Sequence, residues 1–157
     1  DTDGTIIYSS LIKAISENEP RNTYIAHLAG ECMAQGKHII ILCSLITQVK
    51  ALVRAINGSV ELIGSTPKKE RERVLKGENN CIVATYALAK EGLDKPILDT
   101  LILASPQKDY AIVKQSVGRI KRYYKGKTSC VVYDIVDSNI GYCLGAFTKR
   151  RRIINGN

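Results

Sequence analysis

The segment HIIILC, residues 38–43, is the clearest indication of the fold in this sequence. After His38 it is a continuous apolar run, rich in β-branched residues and short, which predicts a strand buried on both faces. Comparable runs follow at residues 60–63 (VELI), 81–84 (CIVA), 100–104 (TLILA) and 129–135 (SCVVYDI). Buried strands separated by helical stretches indicate parallel strands joined by right-handed crossovers. The sequence therefore predicts an α/β domain of three layers, in which helices flank a mostly parallel central sheet.

Helix-like stretches fill the intervals between these strands. Pro67 suits the first turn of a helix and Gly77 follows a last turn, so these two residues bracket one helix. Helices are predicted at about Arg21–Gln35, Ser44–Asn57, Pro67–Lys76, Tyr110–Tyr123 and Ile140–Arg152. We expect one domain over residues 21–152, with an interdomain linker or leading segment at 1–20 and a tail at 153–157.

The composition is that of a globular protein, since 45% of the 157 residues are hydrophobic and 24% are charged. No apolar run approaches the roughly 18 residues that span a bilayer, which excludes a membrane-embedded protein. The start at Asp1 has neither a signal peptide nor an initiator Met, so we expect an intracellular piece of a longer protein. It could belong in the cytoplasm or nucleus, and a viral source stays open.

The net charge and the spacing of the cysteines indicate which kinds of partner and metal site to expect. The net charge of +8 favours a polyanionic partner, usually nucleic acid. The five cysteines form no CxxC pair, and His27 and His38 are not spaced as metal ligands. We therefore expect reduced, inert cysteines and no metal site.

The segment QSVGRIKR, residues 115–122, is the most informative for chemistry. On a helix, Arg119 and Arg122 are three residues apart and would project from the same face. Planar guanidinium groups suit phosphates, and two together suit a γ-phosphoryl group in transfer. A solvated basic helix face would give the same pattern, so the segment needs its context to be interpreted.

That context is the segment VATYALAKEGLDKP, residues 83–96, which ends a strand at Thr85 and turns at Gly92. These two blocks resemble motifs V and VI of superfamily 2 helicases, in the same order and with a strand between them. The segment ILCS, residues 41–44, resembles motif IV, and GST at 64–66 before KKER at 68–71 resembles a nucleic-acid backbone contact. The chain thus resembles the C-terminal RecA-like domain of these helicases from about residue 21 to residue 152.

Two features are similar to one branch of the superfamily. The first position of motif VI is Gln115, where DEAD-box proteins have histidine, and the ending VYDIVD at 132–137 precedes a basic helix. Both are similar to the branch of XPB-like, UvsW-like and DNA-virus transcript-release helicases. The resemblance implies a role in repair or transcription and favours DNA over RNA.

The resemblance also implies a role for each matching residue. Arg119 and Arg122 would be arginine fingers for ATP, and Gln115, Gly92 and Asp94 would help to bind the nucleotide. Ser44, Thr85 and the turn Gly64-Ser65-Thr66 would contact nucleic-acid phosphates. Ordinary capping is the alternative for the hydroxyls: an N-cap role for Ser44 is as well supported, whereas phosphate contact is favoured for Thr85.

The chain lacks half of an ATPase site. Gly126-Lys127-Thr128 resembles the end of a P-loop, but position 121 is Lys instead of the required Gly, and a strand follows where a P-loop has a helix. No D-E-x-D or D-E-x-H box is present. We expect Mg²⁺ and ATP to be held mainly by an N-terminal RecA-like domain of the same protein, and this chain alone to be inactive.

Two other functions stay open at this stage. A RecA-like module that binds nucleic acid or protein without catalysis is the alternative hypothesis, and the failed P-loop spacing disfavours a nucleotide kinase. Basic residues cluster at 121–127 and 149–152, where phosphate binding by the terminal run and a solvated helix end are about equally supported. For Tyr123 and Tyr124, packing into the core or an interface is favoured over base stacking.

Overall fold

The computed structural model describes residues 8–155 as alternating helices and strands. The strands are β1 (Ile39–Cys43), β2 (Ser59–Leu62), β3 (Cys81–Thr85), β4 (Thr100–Leu103) and β5 (Val131–Asp134). The helices are α1 (Tyr8–Glu17), α2 (Glu19–Ala34), α3 (Ile46–Ala55), α4 (Lys68–Lys76), α5 (Tyr86–Lys90), α6 (Tyr110–Ile120) and α7 (Gly141–Ile154). The five predicted strands are all present, within two residues of their predicted ends.

The five strands form one parallel sheet in the order β2-β3-β1-β4-β5. Strand β1 is central: Ile39 pairs with Cys81 on one side and with Thr100 on the other. All five residues of β1 are buried, as expected for a strand covered on both faces. The predicted three-layer α/β architecture is confirmed.

Alternating side chains of the central strands enter two separate cores. Ile40 and Leu42 of β1 pack on the face covered by α4, α5 and α6. Ile39, Ile41 and Cys43 pack on the other face, against α2 and α3. Because side chains alternate across a strand, one apolar run supplies both cores. The sheet is thereby fixed between two helical layers, and its carboxyl edge can present the loops.

The largest difference from the predicted elements lies in the leading segment. Residues 8–17, expected as part of a linker or leading segment, form α1, with Ile12, Ile15 and Ser16 buried. This spacing of three and four residues is that of a helix packing one face on a neighbour. Helix α2 begins earlier than expected, at Glu19, because Pro20 is accommodated in its first turn and Asn18 Oδ1 accepts from the Arg21 amide at 2.9 Å.

None of the helices within residues 8–155 combines the length and the apolar character needed to cross a bilayer.

The five cysteines are all free thiols, and four of them are buried. Burial raises the pKa of the Cys81 thiol to about 12 and also raises that of Cys43. These two thiols are therefore protonated parts of the core, as the sequence predicted for inert cysteines.

Candidate functional site

Three candidate segments lie side by side at one edge of the sheet. Strands β2, β3 and β1 are neighbours and run in the same direction. The turn Gly64-Ser65-Thr66 follows β2, Thr85 ends β3, and Ser44 follows β1. Parallel strands end at the same edge, where ligands of such sheets bind. The structure thus places these residues together at the carboxyl edge.

The hydroxyl groups of Thr85 and Ser44 are both shielded. Thr85 is the buried N-cap of α5, and its Oγ1 accepts a hydrogen bond from the Leu88 amide at 3.2 Å. The capping chemistry considered for Thr85 is therefore present. The N-cap hypothesis for Ser44 is wrong, because Leu45 occupies that position of α3. The Ser44 Oγ is buried with no partner in the described part of the chain, and its amide donates to Ser105 Oγ at 3.1 Å.

The turn Gly64-Ser65-Thr66 is exposed at its tip, and Arg71 forms hydrogen bonds with its backbone carbonyls. Arg71 Nη2 donates to the Gly64 carbonyl at 2.6 Å, and Nε donates to the Thr66 carbonyl at 2.9 Å. Arg71 Nη1 also lies 3.2 Å from Glu91 Oε2. Arg71 therefore ties this turn to the residue that follows α5. The sequence did not predict this, since Glu91 is 20 residues further along the chain.

Arg119 is folded against the loop that follows α5. Its Nη1 donates to the Leu93 carbonyl, and its side chain leaves the residue only 8% exposed. Its Nε is buried and has no hydrogen-bond partner among residues 8–155. Burial, followed by the charge of Arg122, lowers the pKa of the Arg119 guanidinium. Gly92 adopts φ +104° beside it, a conformation that favours glycine, which explains this residue type at the turn.

Arg122 reaches the same loop from beyond the end of α6. The helix ends at Ile120, so the expectation that Arg119 and Arg122 share one helical face is wrong. Arg122 Nη1 nevertheless donates to Asp94 Oδ1 at 2.5 Å, and both side chains remain accessible to solvent. Gln115 is exposed on α6. Four of the five predicted nucleotide-site residues, Arg119, Arg122, Gly92 and Asp94, therefore meet at one loop.

A buried lysine fixes the far side of this loop. Lys95 is 5% exposed, and its Nζ donates to three carbonyls at the end of α4: Val74 at 3.3 Å, Leu75 at 3.1 Å and Gly77 at 2.6 Å. An ammonium group there satisfies carbonyls that the helix leaves unpaired. Burial lowers the pKa of Lys95. Sequence analysis missed Lys95, because an isolated lysine in a polar loop carries no signal of burial.

A buried polar network underlies the middle of the carboxyl edge. Gln48 Nε2 donates to Asn22 Oδ1 at 3.1 Å, and Ser105 Oγ donates to Gln48 Oε1 at 2.6 Å. Asn22 Nδ2 donates to the Ser16 carbonyl at 2.8 Å. The network connects α1, α2 and α3 to Ser105, whose Oγ accepts a hydrogen bond from the Ser44 amide. Sequence analysis did not predict Asn22, Gln48 or Ser105 as part of the site.

Buried arginines anchor the chain around β5. Arg150 is 1% exposed; its Nε and Nη2 donate to the two carboxylate oxygens of Asp134, both at 2.7 Å. Arg21 Nε likewise lies 3.0 Å from Asp137 Oδ2. Both hypotheses for the run 149–152, phosphate contact and a solvated helix end, are therefore wrong for Arg150. Lys149, Arg151 and Arg152 are exposed.

Two other expectations concern the segment between α6 and β5. Packing of Tyr123 and Tyr124 in the core is wrong, because both rings are exposed, Tyr123 to 89%. Gly126 turns with φ +89°, and strand β5, not a helix, follows Lys127, so this is a turn and not a P-loop. Lys127 Nζ donates to the Arg122 carbonyl at 2.8 Å.

Within residues 8–155, no three His, Cys, Asp or Glu residues are grouped to hold a metal ion.

Comparison with known proteins adds to this geometry. Residues 20–124 match the model of the helicase conserved C-terminal domain. A protein of Acanthamoeba polyphaga mimivirus with the name ATP-dependent RNA helicase is 31% identical over 134 residues, 82% of this chain and 25% of that protein. The ATP-dependent DNA helicase uvsW of Enterobacteria phage T4 is 27% identical over 154 residues, 93% of this chain and 31% of that protein.

A solved structure is similar in fold. The crystal structure of T4 UvsW matches 98% of this chain with a TM-score of 0.76 and 21% identity, over 36% of its own length. The likeness confirms the RecA-like α/β fold. This chain spans about a quarter to a third of the length of the two curated relatives.

Proposed function

The chain belongs to the helicase conserved C-terminal domain family, and we propose that it is the C-terminal motor domain of an ATP-dependent helicase or translocase. In this proposal it supplies arginine fingers to ATP and contacts the backbone of a nucleic acid. We propose DNA as the nucleic acid because Gln115 and the ending VYDIVD at 132–137 are similar to the branch of DNA helicases; the relatives carry both names, RNA helicase at 31% identity and DNA helicase at 27%.

The observation that carries the proposal is the convergence of Arg119, Arg122 and Asp94 on one loop. Arg119 donates to the Leu93 carbonyl, and Arg122 to Asp94. The Asp94–Arg122 pair is exposed, so its guanidinium can exchange the carboxylate for a phosphate at small cost. Charge developing on a transferring γ-phosphoryl group is what such a guanidinium stabilises.

The remaining parts of the ATP site would come from a second RecA-like domain. This chain has no P-loop and no D-E-x-D box, so the groups that hold Mg²⁺ and the β- and γ-phosphates lie elsewhere in this proposal. ATP bound between the two domains would close them, and hydrolysis would reopen them. The exposed turn at 64–66 would hold the nucleic-acid strand during each closure.

The test is ATP turnover by the longer helicase carrying Arg122→Ala or Arg119→Lys. We expect turnover to fall by about 10³-fold or more, with little change in nucleotide affinity, because an arginine finger acts on the transition state. Lysine keeps the charge of Arg119 but loses the planar fork. Arg54→Ala on α3 is the matched control, since Arg54 is exposed and away from the loop. Unchanged turnover in both finger variants would refute the proposal in favour of a non-catalytic module.

A further inference from the structure

Tyrosine rings gather at the carboxyl edge, on the side of Ser44 away from the turn at 64–66. Helices α6 and α7 begin just after β4 and β5, which places Tyr110 and Tyr142 in their first turns at this edge. Tyr8, in the first turn of α1, lines one groove together with Ser44. Tyr8 is 48% exposed and Tyr110 is 58% exposed. None of these rings belongs to the sites described above.

Two of these three tyrosines, Tyr142 and Tyr110, have a lysine beside the ring. Lys108 Nζ lies 4.1 Å from the centre of the Tyr142 ring, and Lys114 Nζ lies 5.3 Å from the centre of the Tyr110 ring. The Tyr8 and Tyr142 rings are 5.3 Å apart and inclined at 60°. We call these five residues the tyrosine–lysine patch. Its ammonium groups are attracted to the ring faces and stay close to solvent.

The charge around the patch is positive, because its two lysines outnumber Asp109, which keeps its charge, and the other neighbouring carboxylates are paired with arginines. Asp109 accepts from the Ile112 amide at 3.2 Å as the N-cap of α6. Asp134 and Asp137 are each paired with a buried arginine. A ligand at the patch would therefore meet aromatic faces and lysine ammonium groups, which is the chemistry that suits flat, π-faced groups carried on a polyanion.

We propose that the tyrosine–lysine patch is a stacking platform for the bases of a single-stranded nucleic acid, in which Lys108 and Lys114 leave the ring faces that they now cover and contact its phosphates. The inference rests on the proposed function, and it extends the candidate strand contacts from the β2–β1 side of the edge to the β4–β5 side. Stacking on tyrosine tolerates any base, since every base has a π-face. The Tyr8–Tyr142 contact alone would also hold α1 to α7, but that role gives no account of Tyr110 and Lys114.

The experiment compares binding of this chain to two strands of equal length, an oligodeoxyadenylate and an abasic oligomer with the same phosphates. The chain has eight tyrosines and no tryptophan, so quenching of tyrosine fluorescence reports stacking directly. We expect the base-containing strand to bind more tightly and to quench the tyrosines, and the abasic strand to bind weakly without quenching. This comparison uses the unaltered chain and does not depend on how any variant folds.

Variants then locate the effect. Tyr110→Leu and Tyr142→Leu should each weaken binding of the base-containing strand by about 5- to 150-fold and leave the abasic strand unaffected. Tyr24→Leu is the matched control, since Tyr24 is exposed on α2, which covers the other face of the sheet from α6. Equal affinities for the two strands would overturn the platform but not the proposed function. Binding of neither strand would overturn both.

Discussion

Asp94 Oδ1 accepts a hydrogen bond from Arg122 Nη1 at 2.5 Å, joining the loop after α5 to the segment after α6. Both side chains are accessible, 78% for Asp94 and 45% for Arg122, so the pair adds only about 0–1 kcal/mol to stability. The contact adds little stability, and it brings two candidate site residues together. It can therefore be exchanged for a contact with a ligand at little cost in free energy.

Exchanging the two charges separates structure from catalysis. In the longer helicase, the double variant Asp94→Arg, Arg122→Asp restores an ion pair but moves the guanidinium to the other side. We expect the free energy of unfolding to stay within about 1 kcal/mol of the parent value. ATP turnover should fall about 10³-fold, because the finger is displaced. Retained turnover, measured alongside denaturant unfolding, would show that the pair is only structural.

This chain by itself should hydrolyse no ATP above background. The γ-phosphate and Mg²⁺ ligands of a P-loop and a D-E-x-D box are missing from its sequence. Steady-state phosphate release, with and without single-stranded DNA, is the measurement, and Arg122→Ala is the control for contaminating activity. Robust turnover that disappears in the Arg122→Ala chain would contradict the half-site account.

Arg150 should be a major determinant of stability. Arg150→Met leaves the Asp134 carboxylate buried without its partner, and such a loss costs about 3–5 kcal/mol. Arg151→Met, on the exposed side of the same helix, should change the free energy of unfolding by no more than about 0.5 kcal/mol. Guanidinium unfolding curves of the two variants provide the comparison. Similar midpoints for both would mean that the Arg150–Asp134 pair carries no net weight.

The three exposed cations of α7 should contribute to the salt dependence of nucleic-acid binding. Replacing Lys149, Arg151 and Arg152 with Gln should reduce the slope of log Kd against log salt by about 0.7 for each phosphate of a single strand that these side chains had neutralised. Arg54→Gln serves as a reference for removing a charge elsewhere. Anisotropy titrations at several salt concentrations measure the slope. An unchanged slope would identify the run as a solvated helix end.

Strand pattern and motif order made the fold predictable. The runs at 38–43, 81–84 and 100–104 are buried on both faces, and few structures other than a parallel sheet accommodate that. The loop at 92–94 and Arg119 could be assigned together, because each carries a recognisable local pattern. Helix α1 also had a readable signal, in Ile12 and Ile15, which the expectation of a linker obscured.

The remaining features depend on pairings across long stretches of chain. Arg150 stands in a run of four basic residues, and local pattern predicts solvent for all four. Only the topology brings it beneath Asp134, where two hydrogen bonds offset the cost of burial. Gln48 and Ser105 are 57 residues apart, and nothing in the sequence around either one indicates that they are partners. Tertiary partners of this kind leave no periodic signature in one sequence.

Helix α4 is fastened to the loop around Gly92 at both of its ends. Arg71, in its first turn, holds Glu91, and Lys95 holds the last carbonyls, Val74 and Leu75 among them. Helix α4, nine residues and about 13 Å long, thus links the turn at 64–66 to the loop that the two arginines contact. In the proposed motor domain, a force on a nucleic-acid strand bound at the turn would therefore reach the arginine loop through α4.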